Sequence, residues 1–213
     1  MSCCCPHSKS GGRLFSFFAR SYRRRFSKKG FEPSQLQLVE GLEKAGFKDD
    51  TLLEVGSGVG YLHQTLLELG AKSAIGIDLA PDMLKVAEDW AAEKNLTDRT
   101  EYIQGDFIEL LDQVEPAEVT ILDKVVCCYP HAELLVNHST AKTNRVYALT
   151  YPRDRWFTKV AIEIMAFFLK LSGSDFRAFV HNPDDIERWI TEAGFKKTYQ
   201  KQTFIWLSQI YTK

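Results

Sequence analysis

No apolar run in the chain is long enough to span a bilayer. The longest, WFTKVAIEIMAFFLKL at 156–171, falls short of the roughly 20 residues a spanning helix needs and carries Lys159, Glu163 and Lys170. Acid is missing from the first 31 residues, which hold eight Lys or Arg and neither Asp nor Glu. The remainder holds 19 basic and 28 acidic residues, a net charge of −9. A basic front on an acidic body suggests that residues 1–33 act separately from a main domain at 34–213. Cysteine occurs only as Cys3, Cys4 and Cys5 and as the pair Cys127 and Cys128, and adjacent thiols make a poor disulfide framework. LFSFFA (14–19) is too short for the core of a secretory signal and has no small-residue cleavage site behind it. A cytoplasmic setting, with peripheral membrane contact through residues 13–29 as an option, is the expectation. No internal repeat is visible.

What is present has globular proportions: 213 residues, 45% hydrophobic and 26% charged, enough for one sizeable core. From Thr51 onward, short apolar runs alternate with helical patterns. TLLEV (51–55), SAIGID (73–78), EYIQGD (101–106), AEVTILD (117–123) and RVYALTYP (145–152) read as strands. VGYLHQTLLELG, PDMLKVAEDWAAEKN, residues 131–142, the apolar 156–171 and NPDDIERWITEAGF read as helices. In the last, Asn182 is the N-cap, Pro183 stands at the first helical position and Gly194 ends the run. KTYQKQTFIWLSQIYTK supplies a closing antiparallel pair. The pattern is α/β: a Rossmann-like, doubly wound sheet, mostly parallel, with ligands outside the carboxyl ends of the strands. Attention therefore falls just after Val55, Asp78, Gly105 and Asp123.

Residues 54–60 read EVGSGVG, between a strand and a helix. A tight turn alone would explain glycines there. A phosphate loop needs GxxxxGK[ST], and no such lysine follows; a dinucleotide turn wants a small residue where Tyr61 stands. The pattern is instead acid-x-Gly-x-Gly-x-Gly. Glu54 would repel a pyrophosphate but suits a cationic amino-acid group, whose ammonium it can accept from. The next strand ends in Asp78, placed to accept both hydroxyls of a ribose. Asp106, in GDF (105–107), is a third carboxylate, able to accept from an adenine amine. Each acid singly reads as a solvated loop residue; all at successive strand ends point to one site.

These motifs resemble those of class I S-adenosylmethionine-dependent methyltransferases over residues 34–213. The resemblance implies a seven-stranded sheet with the last strand antiparallel. It implies S-adenosylmethionine as cofactor, with Glu54, Gly56, Ser57, Gly58 and Gly60 around its methionine part and Asp78 on its ribose. Leu79 and Met83 would line the adenine, Asp106 and Phe107 would contact its amine and ring, and Asp123 would lie nearest the transferred methyl. LDKVVCCYP (122–130), YPRDRW (151–156) and FRAFVH (176–181) are similar to the branch around magnesium-protoporphyrin O-methyltransferase and to its uncharacterised bacterial relatives.

Methyl transfer from a sulfonium is an in-line displacement, so such a protein mainly aligns the acceptor and excludes water. His131, Tyr129 and Tyr151 are the catalytic candidates, and Arg153 and Arg155 candidates to hold an acidic group or simply to pair with Asp154. No NPPY-type motif occurs, which argues against a nucleic-acid base as acceptor; a small, hydrophobic molecule is the expected one. A cofactor-binding or interaction protein without turnover, docking through its basic front, is the rival reading. The helix at 156–171 is expected to pack on the sheet, with extra apolar surface in a dimer interface; a lid over an apolar substrate or a membrane contact is the alternative. Phe15, Phe18, Tyr22 and Phe26 recur at helical spacing among Arg and Lys, a stripe expected to cover the cofactor and to bring Tyr22 near its carboxylate. CCCPH (3–7) reads as a tail with incidental thiols, and no metal site is expected. No feature sets the oligomeric state.

Overall fold

A computed structural model describes residues 6–171 and 173–213 of the chain; Cys3, Cys4 and Cys5 lie outside the described residues. Two helices, α1 (Pro6–Lys29) and α2 (Pro33–Ala45), come first. Strand and helix then alternate: β1 (Thr51–Val55), α3 (Tyr61–Glu68), β2 (Ser73–Asp78), α4 (Pro81–Glu93), β3 (Thr100–Gln104) and β4 (Ala117–Asp123). The remainder is α5 (Ala132–Ala141), β5 (Thr143–Pro152), α6 (Trp156–Leu171), α7 (Pro183–Glu192), β6 (Lys196–Gln202) and β7 (Trp206–Thr212). The strands form one sheet in the order β3-β2-β1-β4-β5-β7-β6. β1 to β5 run parallel, and β7 lies between β5 and β6, antiparallel to both. The seven strands and the reversed last strand are as the sequence implies.

The central strands are largely apolar because both faces are covered. Leu53, Val55, Leu122, Leu149 and Tyr211 meet α5 and α7 residues such as Leu135, Val136, Ile186 and Ile190 on one side. Leu52, Val119, Ile121, Ala148 and Ile210 meet Leu38, Leu42, Leu62 and Leu66 of α2 and α3 on the other. The α7 boundaries follow from its caps: Asn182 accepts from the Asp184 N–H (3.0 Å), Pro183 opens the helix and Gly194 leaves it at φ +90°.

Two expectations are corrected. α6 does not pack on the sheet; of its described residues only Thr158 is buried. In α1 the inward stripe runs through Phe15, Ala19 and Phe26, with Ala19 buried against α4, whereas Phe18 turns outward. The small Ala19, not Phe18, lets α1 approach α4 closely. Phe26 stacks on Tyr61 at 4.6 Å and meets Trp90 edge-on at 5.4 Å, while Arg23 lies over Trp90 and pairs with Glu93.

Candidate functional site

At the carboxyl ends of β1, β2 and β4, covered by α1, lies a cavity of about 340 Å³. Its wall contains Tyr22, Glu54, Gly56, Ser57, Gly58, Asp78, Leu79, Met83, Asp106, Phe107 and Asp123, which the sequence had scattered over 102 positions. Gly60 is not in the wall. It opens α3 at φ +77°, and a Cβ there would crowd Ala87 and the side chains of His63 and Gln64.

The turn after β1 exists because glycine tolerates positive φ: +69° at Gly56 and +56° at Gly58. A Cβ at Gly56 would overlap Val125 of the β4 turn, so this loop can close on its neighbour only as glycine. A Cβ at Gly58 would meet nothing within 4 Å. Gly56 and Ser57 both donate to the Ile77 carbonyl, at 2.7 and 2.9 Å, which ties the loop to the end of β2. There Asp78 Oδ2 accepts from the Gly58 N–H and Oδ1 from the Ala80 N–H, both at 2.8 Å. Burial raises the Asp78 carboxyl above its ordinary range, opposed by those backbone donors.

Beneath the loop runs a buried polar network that the sequence reading missed. His63 Nδ1 donates to Glu54 Oε2 at 2.6 Å, and the His63 N–H reaches the same oxygen at 3.3 Å. With the proton on Nδ1, Nε2 accepts from the Tyr102 hydroxyl at 3.0 Å, which in turn accepts from Gln64 at 2.8 Å. His63 is fully buried, so its partners must be satisfied internally. Burial raises the Glu54 carboxyl, with the His63 bonds pulling it back, and pushes the Tyr102 phenol up to about 12. The nine-residue spacing of Glu54 and His63 was visible in the sequence; the third partner arrives from β3 through sheet pairing.

Asp123 closes the site from β4. Gln35 donates to its Oδ2 at 2.7 Å and to the Tyr61 hydroxyl at 2.6 Å, while Gln35 Oε1 accepts from the Glu32 N–H. The segment between α1 and α2 is thereby fastened to the cavity floor. Asp123 Oδ1 and Ser57 Oγ are buried with no hydrogen-bond partner among the described residues. Burial raises the Asp123 carboxyl, against the pull of Lys124 and Gln35. Two unmatched buried oxygens beside a glycine cradle suit a ligand carrying donors and positive charge.

Of the catalytic candidates, Tyr129 lines the cavity and donates to Asp106. Tyr151 is corrected: it points into the core and donates to Gln209 at 2.7 Å, because alternation along β5 turns it away from the cavity. His131 is likewise outside, exposed at the N-cap of α5. Arg153 donates to the carbonyls of Thr203 and Phe204, and Asp154 pairs with Lys159. The rest of the wall includes Phe15, Phe176, Trp206, Val125 and Cys128, with Arg25 and Lys124 both paired to Glu32 at 2.6 Å. Burial, and then Glu32, raise the Tyr22 phenol.

Residues 52–148 match the family described as methyltransferase domain. The chain is similar there to a methyltransferase domain. Its fold is that of the class I S-adenosylmethionine-dependent methyltransferases. The ribosomal protein L11 methyltransferase of Haemophilus influenzae is 34% identical over 77 residues, 36% of this chain and 26% of that protein. That of Alkaliphilus oremlandii is 33% identical over 92 residues, 43% of this chain and 29% of that protein. The chain thus spans about a quarter of the length of these curated relatives. Among solved structures, magnesium protoporphyrin IX methyltransferase from Synechocystis PCC 6803, with bound SAM, superposes with a TM-score of 0.72 at 15% identity, covering 100% of each chain. The [4+2]-cyclase SpnF does so at 0.72 and 11%, covering 98% of this chain and 97% of that one. This fold is thus shared by proteins of different reactions, and what it does here rests on its own side chains. Among the described residues no helix is long and apolar enough to cross a membrane.

Proposed function

We propose that the protein is an S-adenosylmethionine-dependent methyltransferase acting on a small, hydrophobic acceptor. The observation that carries this reading is the row of carboxylates at neighbouring strand ends around a glycine cradle, Glu54 buried and Asp78 and Asp123 half-buried. In this reading Asp78 accepts from the ribose hydroxyls, and Glu54, Gly56, Ser57 and Gly58 surround the methionine part. Gly60 acts one step back, setting the start of α3. Leu79, Met83 and Phe107 flank the adenine and Asp106 accepts from its amine. The unmatched oxygen of Asp123 faces the end where the methyl leaves, and Tyr22 of α1 closes over the carboxylate.

When bound, the sulfonium supplies an already activated methyl group. The chain's own part is to hold the acceptor in line and keep water out. α1 does the second through Phe15 and Phe26, and the apolar acceptor wall of Phe176, Val125 and Trp206 selects for a hydrophobic molecule. Tyr129, already donating to Asp106, couples the adenine end to the β4 turn that borders the acceptor. The described part of residues 1–33, chiefly α1, works here as a cover over the site of the domain at 34–213.

Incubation with methyl-labelled cofactor and a cell extract tests the proposal. Labelled apolar product with wild type, absent with Asp78→Ala, is the expected result. Label in protein or nucleic acid would refute the small acceptor, and no labelled product from any extract would favour a protein that binds without turnover.

A further inference from the structure

We propose that the outer face of α6 and the basic face of α1 form a docking surface for an anionic lipid bilayer. The inference rests on the reading above and deepens it, since a membrane is where a hydrophobic acceptor resides. Thr158, Ile162, Ala166 and Leu169 turn inward, so the opposite side of α6 carries Trp156, Val160, Ile164, Phe167 and Leu171 at spacings of four, four, three and four. These five are exposed, Trp156 by 76% and Leu171 by 70%. A helix that hides only Thr158 and shows water its largest apolar side chains is covered by something in use. At its start Phe157 stacks on Phe204 at 4.6 Å, and Phe204 and Ile205 extend the apolar surface over the β6–β7 turn.

Charge identifies the occupant. Just beyond the end of α6, the Asp175 N–H donates to Ser10 Oγ at 2.9 Å, and Phe176 meets Phe15 edge-on at 5.2 Å, so the apolar helix adjoins α1. α1 contains no acid, and Arg13, Arg20, Arg24, Lys28 and Lys29 are exposed on it beside Phe17. An apolar stripe with a Trp at one end and a cationic helix alongside matches the interface of an anionic membrane. A second copy seated on the same surface would bring another all-basic α1 toward this one. Phe176 also lines the cavity, so the surface lies next to the acceptor wall.

Vesicle sedimentation tests the proposal, using phosphatidylcholine alone and phosphatidylcholine with phosphatidylglycerol. The full chain should partition onto the anionic vesicles at least about tenfold more strongly than onto the neutral ones, and less as salt rises. Ile164→Asp with Phe167→Asp should lower that partition at least about tenfold, and Arg20→Glu with Arg24→Glu should abolish the preference for anionic lipid. Partition that is absent, or indifferent to the α6 substitutions, overturns the proposal. So does a dimer in sedimentation velocity that those substitutions dissolve, which would make a second copy the occupant. Calorimetric binding of S-adenosylhomocysteine, measured on each variant, reads the cavity separately. Binding retained while vesicle partition fails refutes the docking surface and leaves the methyltransferase reading intact.

Discussion

The segment after β1 and the segment after β5 leave the same edge of the sheet and meet opposite environments. After β1, glycines and a carboxylate fold into a turn held by His63, Asp78 and the end of β2, with Ser57 Oγ, at the cavity wall, left unmatched among the described residues. After β5, α6 faces water with apolar side chains and one buried residue. The first region is fixed by contacts within the chain, so its sequence is constrained by structure and cofactor together. The second owes little to the rest of the fold, so its apolar character calls for a purpose outside it.

Substitutions can break or sharpen that contrast. His63→Ala removes the side-chain partner that Glu54 Oε2 has among the described residues and leaves a buried carboxylate with only a long backbone donor; a loss of about 4 kcal/mol is expected, read as a fall in Tm of roughly 8–16 °C. Gly56→Ala forces a Cβ into a positive-φ position against Val125 and should cost about 2–3 kcal/mol, with cofactor binding lost before the fold is. Asp123→Asn should act in the other direction. The folded state raises the Asp123 carboxyl, so it holds that proton more tightly than the unfolded chain does. Ligand-free wild type therefore loses stability as pH climbs from the ordinary carboxylate range through the raised value, and the Asn variant lacks that loss. At neutral pH the variant should be about 1 kcal/mol more stable and bind cofactor more weakly, a trade of stability for function; denaturant midpoints at pH 4 and pH 7 measure both arms. Ile164→Asp with Phe167→Asp should leave stability within about 0.5 kcal/mol. A large destabilisation there would mean that α6 is part of the core after all, and the contrast would collapse.

What could be read from the sequence follows the same division. The strand ends at Asp78 and Asp123 and the glycine turn were legible because each depends on local pattern: an apolar run, its last residue, the spacing of glycines. Asp106 was legible too, although β3 itself stops two residues earlier, at Gln104. The bond from Gln35 to Asp123 spans 88 positions and that from His63 to Tyr102 spans 39, and such pairings are set by sheet register and helix placement. Phe18 and Ala19 exchanged roles because a stripe of aromatics is a good guide only until close approach favours a small side chain. Tyr151 looked available at the end of β5 because composition does not say which face a strand residue takes. The exposure of α6 was hidden for a related reason, since an apolar helix reads the same whether it covers a sheet or a bilayer.

The account stands on the cavity being a cofactor site, and titration calorimetry with S-adenosylhomocysteine tests it most directly. Saturable one-to-one binding is predicted for the wild-type chain, weakened at least about tenfold in Asp78→Ala. Absence of binding to the folded wild-type protein, or binding that Asp78→Ala leaves unchanged, would contradict it.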